Sequence, residues 1–310
     1  MMDSNIETVR LTRRSFSLSK KNTIVLAAAV LIALIGLGAW LALRSRPLYP
    51  IMSGGKYGYI NKSGKVTIQP QFDRARTFSQ GLAAVAVGNR WGYIDRSGKL
   101  AISSQFDLAD PFFDGVALVG IGPKLGYIDK SGKFTINLQY DGAGQFGNGL
   151  APVLVNGHWG YINKSGKTVI KPQFDEGGNF SDGLAVVRME GKYGYIDKSG
   201  KLVIAPQFAT AGDFHEGLAM VRLGNQSGYI DKTGKVKINP QFDTAGDFSD
   251  GLALVSISGR VGYINRAGKY AINPQFDQGG NFSAGLAPVW IGEREGYINK
   301  DGKYVWNPVS

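Results

Sequence analysis

The tripeptide Gly-Tyr-Ile stands at Gly58, Gly92, Gly126, Gly160, Gly194, Gly228, Gly262 and Gly296. Every interval is 34 residues, with no insertion along the array. A fixed period of this size means that one supersecondary unit is copied and that each copy buries its apolar surface against its neighbours. Other columns keep the register. Ser-Gly-Lys recurs from Ser63, Pro-Gln-Phe stands at Pro70, Pro172, Pro206, Pro240 and Pro274, and Phe-x-x-Gly-Leu-Ala begins at Phe78, Phe146, Phe180, Phe214, Phe248 and Phe282. Tetratricopeptide helix pairs share the period. Here, however, 44 of the 310 residues are Gly, and Asx-x-x-Gly turns separate short apolar runs. Helix propensity in such a sequence is poor, which excludes the helical reading.

Each unit reads as three short strands and a loop. In the second copy the strands are predicted over Leu82 to Val87, Trp91 to Asp95 and Lys99 to Ser103. Asp95-Arg96-Ser97-Gly98 forms the tight turn between the last two. The segment from Pro70 to Gly81 is expected to be a connecting loop. Leu48 to Met52 aligns with Leu82 to Ala86, which gives eight whole three-stranded units ending at Asn307. Trp91 and Tyr93 share one face of their strand, while Gly92 and Ile94 share the other. A sheet apolar on both faces must be covered on both, so units are expected to pack face to face. The Gly of Gly-Tyr-Ile is expected to admit an adjoining backbone or ring. Two all-β arrangements satisfy this: a β-propeller-like closed ring or an open β-solenoid. An open array needs polar ends, and the last unit keeps Leu286, Val289, Ile291 and Ile298, which favours closure.

Trp91-Gly92-Tyr93-Ile94-Asp95 and Trp159-Gly160-Tyr161-Ile162-Asn163 resemble the hallmark of bacterial WG-containing (KWG) repeats. The flanking Gly-Lys-x-x-Ile-x-Pro-Gln-Phe-Asp and Phe-Ser-x-Gly-Leu-Ala are similar to that family too. The likeness covers roughly residues 48 to 308. The aromatic is replaced by Tyr57 and Tyr193, and abandoned at Leu125, Ser227, Val261 and Glu295. The resemblance implies a β-rich repeat domain of the kind common in envelope-associated proteins. It implies no catalytic residues.

Ile24 to Leu43 is an uncharged run of 20 residues, long enough at about 1.5 Å per residue to span a bilayer core. It exceeds a signal-peptide h-region, and Ala39-Trp40-Leu41-Ala42 lacks a small-x-small cleavage pattern. Arg10, Arg13, Arg14, Lys20 and Lys21 precede it and Arg44 and Arg46 follow, which predicts a cytoplasmic N-terminus. The expected organisation is a basic tail (1–22), a transmembrane anchor (23–43) and a repeat domain (44–310) on the far side of the plasma membrane.

The chain has no Cys and two His, His158 and His215, at non-equivalent places in their units. That disfavours thiolate or His-based metal and catalytic centres. There is no Gly-x-Ser-x-Gly elbow and no Walker loop. No catalytic residue, metal site or cofactor is predicted. The column Asp73, Asp107, Asp141, Asp175, Asp243 and Asp277, broken at Ala209, is read as loop contacts that accept backbone N–H groups. An alternative function is an envelope hydrolase built on loop carboxylates such as Asp175, Glu176 and Asp182. Another is a purely structural spacer.

The net charge of +11 traces to two columns. Lys62, Arg96, Lys130, Lys164, Lys198, Lys232, Arg266 and Lys300 hold the second turn position. Lys65, Lys99, Lys133, Lys167, Lys201, Lys235, Lys269 and Lys303 follow the turn Gly. Equivalent turns lie on one edge of a repeat array, so these sixteen residues predict a basic rim for anionic lipid, an anionic envelope polysaccharide or an acidic protein. Protection of strand edges and solubility is the competing account. Nucleic acid is not expected, because the array lacks a recurrent aromatic platform for bases.

Overall fold

Strands form where apolar runs are cut by two-residue turns, and the computed structural model describes them over residues 46–307. Blade 2 shows the pattern. Its strands are Arg74–Ala75, Ala83–Val87, Arg90–Ile94 and Leu100–Phe106, antiparallel and adjacent in sequence order. The other blades span 48–72, 108–140, 142–174, 176–208, 210–242, 244–276 and 278–306. Seven sheets have four strands. The first has three, because it begins at Leu48–Ser53.

The repeating unit is therefore four-stranded, not three-stranded. The segment from Pro70 to Gly81 is not all loop: it holds the end of the outer strand, to Phe72, and the short inner strand Arg74–Ala75. The outer strand outlasts its expected end because it bulges. Tyr93 pairs with Ile102 and Trp91 with Phe106, so four steps on one strand face two on the other. The surplus residues fold over Gly92, where a Cβ would lie 2.6 Å from the Ile102 carbonyl oxygen and 2.8 Å from Ser104 N. The glycine of the motif is needed for that approach. Proline is tolerated here because the bulge takes it out of the ladder.

Neighbouring blades pack face to face. One core joins Tyr93, Ile102 and Phe106 of blade 2 to Ala109, Phe112 and Val119 of blade 3. The Tyr of each motif is buried and crosses to the next blade. Tyr93 sets its ring 4.9 Å from Phe112 and donates its hydroxyl to the Asp110 carbonyl at 2.8 Å. Tyr59, Tyr127, Tyr161, Tyr195, Tyr229 and Tyr263 donate in the same way 17 residues ahead. Each buried hydroxyl thus has a partner.

The eight blades close into a β-propeller, and the open solenoid is excluded. Tyr49, Ile51 and Ile60 of blade 1 share a core with Leu286 and Tyr297 of blade 8. Among the described residues no strand is exchanged at this seam. Blade 1 lacks an inner strand among the described residues, which leaves the Pro50 carbonyl and the Met52 N–H without their usual ladder partners. Blade 8 supplies both. Tyr297 donates to the Pro50 oxygen at 2.7 Å, and the Glu295 carboxylate accepts the Met52 N–H. This explains why a carboxylate replaces the aromatic at position 295.

Burial pushes the Glu295 carboxyl up to about 7, against an ordinary 4.5, despite the Met52 bond. The folded chain therefore holds a proton that the unfolded chain releases. Stability supplied by this group is complete below about pH 4.5 and is lost as pH rises to about 7. Glu295→Gln is expected to be more stable than wild type by about 1–2 kcal/mol at pH 8, discounted for partial exposure. Melting both proteins from pH 5 to pH 8 checks this: their difference should grow with pH.

Among the described residues no helix is long and apolar enough to cross a membrane. The run 24–43 lies outside them.

Candidate functional site

The turn face comes from one local rule. In Asp95-Arg96-Ser97-Gly98-Lys99 the Asp95 Oδ1 accepts the Ser97 N–H at 2.8 Å, the Ser97 hydroxyl at 2.6 Å and the Lys99 N–H at 3.2 Å. Gly98 takes φ +87°, closing the turn. Asn61, Asp129, Asn163, Asp197, Asp231, Asn265 and Asn299 accept the corresponding Lys N–H groups. The hydroxyl bond from Ser or Thr, first among several causes, holds Asp95, Asp129, Asp197 and Asp231 below the ordinary carboxylate range. These oxygens serve the turn itself.

The hairpin between the inner and second strands reaches the same face, since alternate links of a meander share a side. Its central residues Gln80 (φ +51°) and Gly81 (φ +95°) form a two-residue turn of the primed kind. The first of the pair also bridges blades. Gln80, Asp114, Asn148, Asp182, Glu216 and Asp250 each accept the turn Gly N–H of the next blade, 35 residues on. Ala284 has no such acceptor. Its counterpart across the seam is Pro47, which has no N–H to offer.

The two basic columns divide here. Arg96, Lys130, Lys164, Lys232 and Lys300 donate to the carbonyls of Arg46, Gln80, Asp114, Asp182 and Asp250 in the preceding blade. This column ties blades together. All eight residues of the other column, Lys65 to Lys303, are exposed. Across the two columns and the adjoining turns and hairpins, sixteen basic residues face Asp95, Asp129, Asp197, Asp231, Asp301, Asp114, Asp182, Glu216 and Asp250. The four hairpin carboxylates were not legible as members of this face, so the excess is about seven charges where the turns alone gave eleven.

The Asp column lies on the opposite face. Asp73, Asp107 and Asp277 accept the N–H groups of Gly88, Gly122 and Gly292, and Asp243 accepts that of Ser258. Lys56, Arg90, Lys124 and Arg260 pair with Asp73, Asp107, Asp141 and Asp277. Asp175, Glu176 and Asp182 are not brought together. Asp182 belongs to the turn face, and Glu176 lies on the inner strand Glu176–Ser181. Among the described residues no cluster of His, Asp and Glu is arranged to hold a metal.

Sequence reasoning missed an axial cleft of about 470 Å³ along the inner strands of blades 4 to 7. Trp159 and Tyr193 wall it, Gly144 and Gly178 open its floor, and Glu176, Asp213 and Asp247 supply carboxylates. Bonds from Tyr193 and Arg188 hold Glu176 below its ordinary value. Burial pushes Asp213 up to about 6; the Asp247 charge adds to this and His215 opposes it. Burial raises Asp247 as well, although His215 Nε2 lies 3.7 Å away. The Asp213 Oδ1 is enclosed without a hydrogen-bond partner. The column Thr77, Pro111, Gln145, Asn179, Asp213, Asp247 and Asn281 gave no periodic signal to find it by.

In sequence, a family described as WG containing repeat matches residues 57–91, 91–122, 126–158, 159–193, 193–226, 228–260 and 262–292. No curated protein matches the chain in sequence. Solved structures of similar fold include dihydro-heme d1 dehydrogenase NirN in complex with DHE, at TM-score 0.55 and 10% identity over 84% of this chain and 72% of that one. A eukaryotic initiation factor aligns at TM-score 0.52 and 11% identity over 84% of each chain. Hsv2 of Kluyvelomyces marxianus aligns at TM-score 0.50 and 12% identity over 71% of this chain and 89% of its own. At such identities the likeness is one of fold.

Proposed function

This chain belongs to the WG-containing repeat family, and we propose that it is a non-catalytic binding or scaffold module, anchored in a membrane by residues 23–43, whose lysine-rich turn face contacts an anionic envelope polymer. One observation carries the reading. Eight lysines, Lys65, Lys99, Lys133, Lys167, Lys201, Lys235, Lys269 and Lys303, stand exposed on one face of a ring, and the recorded blade-to-blade carbonyl bonds use the other column instead. Edge protection would need no such constancy at both turn positions. A ring of cations spaced by the blade repeat suits a repeating polyanion better than a single small anion, because each contact is weak and the sum is not. Near an anionic surface each Lys contributes about 1 kcal/mol.

The test is binding of dextran sulfate and polygalacturonate to the full chain in neutral-lipid nanodiscs. Affinity is expected to fall at least about tenfold between low and moderate salt. Changing Lys65, Lys99, Lys133 and Lys167 together to Glu is expected to weaken it about hundredfold or more. Binding that ignores salt, or survives the fourfold change, would sink the reading. Membrane orientation has its own test. A reporter fused after Ser310 should be active only outside the cytoplasm, and cytoplasmic activity contradicts the N-in anchor.

A further inference from the structure

The blades differ at one point that the repeat makes easy to compare. Trp91 of blade 2 carries two guanidinium groups over its ring, those of Arg74 and Arg76, each 5.2 Å from the centroid. Both come from the inner strand of the same blade or the residue after it. The Arg76 guanidinium also meets Asp110 of blade 3, at 3.2 Å. Tyr193 of blade 5 holds the same column and carries the Arg188 guanidinium at 5.8 Å. Trp159 of blade 4 is the exact counterpart of Trp91, two periods on. The residues that correspond to Arg74 and Arg76 there are Gly142 and Gly144. The chain's own guanidinium groups are thus deleted over Trp159, and Trp159 and Gly144 line the axial cleft instead.

Asp110, the partner of Arg76, has Gly178 as its counterpart here, and other carboxylates take its place. Glu176, Asp213 and Asp247 line the cleft, and Asp213 keeps an enclosed Oδ1 with no hydrogen-bond donor. An aromatic face beside carboxylates, with small residues in front, suits a planar delocalised cation that stacks and donates in its own plane. We propose that the cleft between Trp159 and Asp213 binds a guanidinium group from outside the chain, one that stacks on Trp159 as Arg74 and Arg76 stack on Trp91. This site is separate from the lysine face and does not rest on what that face binds. The guanidinium could be borne by an arginine side chain of a partner protein or by a small free molecule, and the ligands below separate those sources.

The experiment labels the full chain, in neutral-lipid nanodiscs, with 5-fluorotryptophan and follows the fluorine resonances, with Trp159→Leu assigning the Trp159 signal. The titrants are N-acetyl-arginine amide, N-acetyl-lysine amide and an Arg-centred tripeptide. Saturable shift of the Trp159 resonance by the arginine amide is expected, with the lysine amide weaker by about fivefold or more. Asp213→Asn is expected to weaken the arginine amide about tenfold. Should that variant fold poorly, the wild-type arginine-against-lysine ratio still decides. Tighter binding of the tripeptide assigns the source to a protein partner, and equal binding assigns it to a small molecule. No saturable shift, equal response to lysine, or unchanged affinity in folded Asp213→Asn would each overturn the proposal.

Discussion

Gly194→Val is expected to unfold its blade, at a cost on the order of 3–5 kcal/mol or more. A Cβ at Gly194 would lie 2.6 Å from the Ile204 oxygen and 2.7 Å from Pro206 N. Both are backbone atoms of the bulged outer strand, with no side chain to swing aside. Relief would require the bulge to move, and the bulge sets the pairing of Tyr193 with Phe208 and of Tyr195 with Ile204. Gly183→Ala makes the comparison sharp. Gly183 has φ +90° but nothing within 4 Å of its absent Cβ, so that change should cost only about 1 kcal/mol of backbone strain. Urea midpoints of the two variants should differ widely. Similar midpoints would mean that the motif glycine is conformational rather than spatial.

Tyr297→Ala is expected to open the ring. Tyr297 is 3% exposed, its ring lies 5.7 Å from that of Tyr49, and its hydroxyl bonds Pro50. Truncation leaves a cavity and an unpaired carbonyl, at about 3–5 kcal/mol. Tyr297→Phe removes only the hydroxyl and should cost about 1–2 kcal/mol. Both effects are readable as shifts in thermal midpoint. Among the described residues the seam has no shared strand to hold it once these side chains are gone, so the alanine variant should also expand in solution. An internal tyrosine such as Tyr195 leaves the seam intact when truncated and should not produce that expansion.

Much of this was legible in the sequence. The unbroken period gave the number of blades, and Asx-x-x-Gly gave the turns and the face that carries Lys65 and its equivalents. Apolar groups on both faces of Trp91 to Asp95 gave face-to-face packing. The inner strand was not legible, because a two-residue pair such as Gly142–Ala143 is too short and too glycine-rich to show alternation. The length of the outer strand was hidden by Pro70 and its copies, which mark a bulge and read as a stop. The partners of Tyr93 and Gln80 lie one blade away, at separations that strand pattern does not encode. The axial carboxylates were hidden for a different reason. Asp213 and Asp247 have Asn, Gln, Thr or Pro at the equivalent sites, and only the meeting of four inner strands places them beside Trp159.

Glu295 shows how an apparent defect becomes readable with the ring in view. In its column it stands with Leu125, Ser227 and Val261, where the aromatic is abandoned. At the seam it takes up the Met52 N–H, which no inner strand among the described residues covers in blade 1.

The continuity of the basic face and the seam both require that blade 8 meets blade 1. Lys62 and Lys300 test this directly, since both line one cleft of about 560 Å³ at the seam although 238 residues separate them. Short amine-reactive crosslinking of the monomeric full chain, read by mass spectrometry, should yield an intramolecular Lys62–Lys300 link as readily as the link between Lys130 and Lys164 of adjacent internal blades. Recovery of the internal link without the Lys62–Lys300 link would contradict closure of the ring.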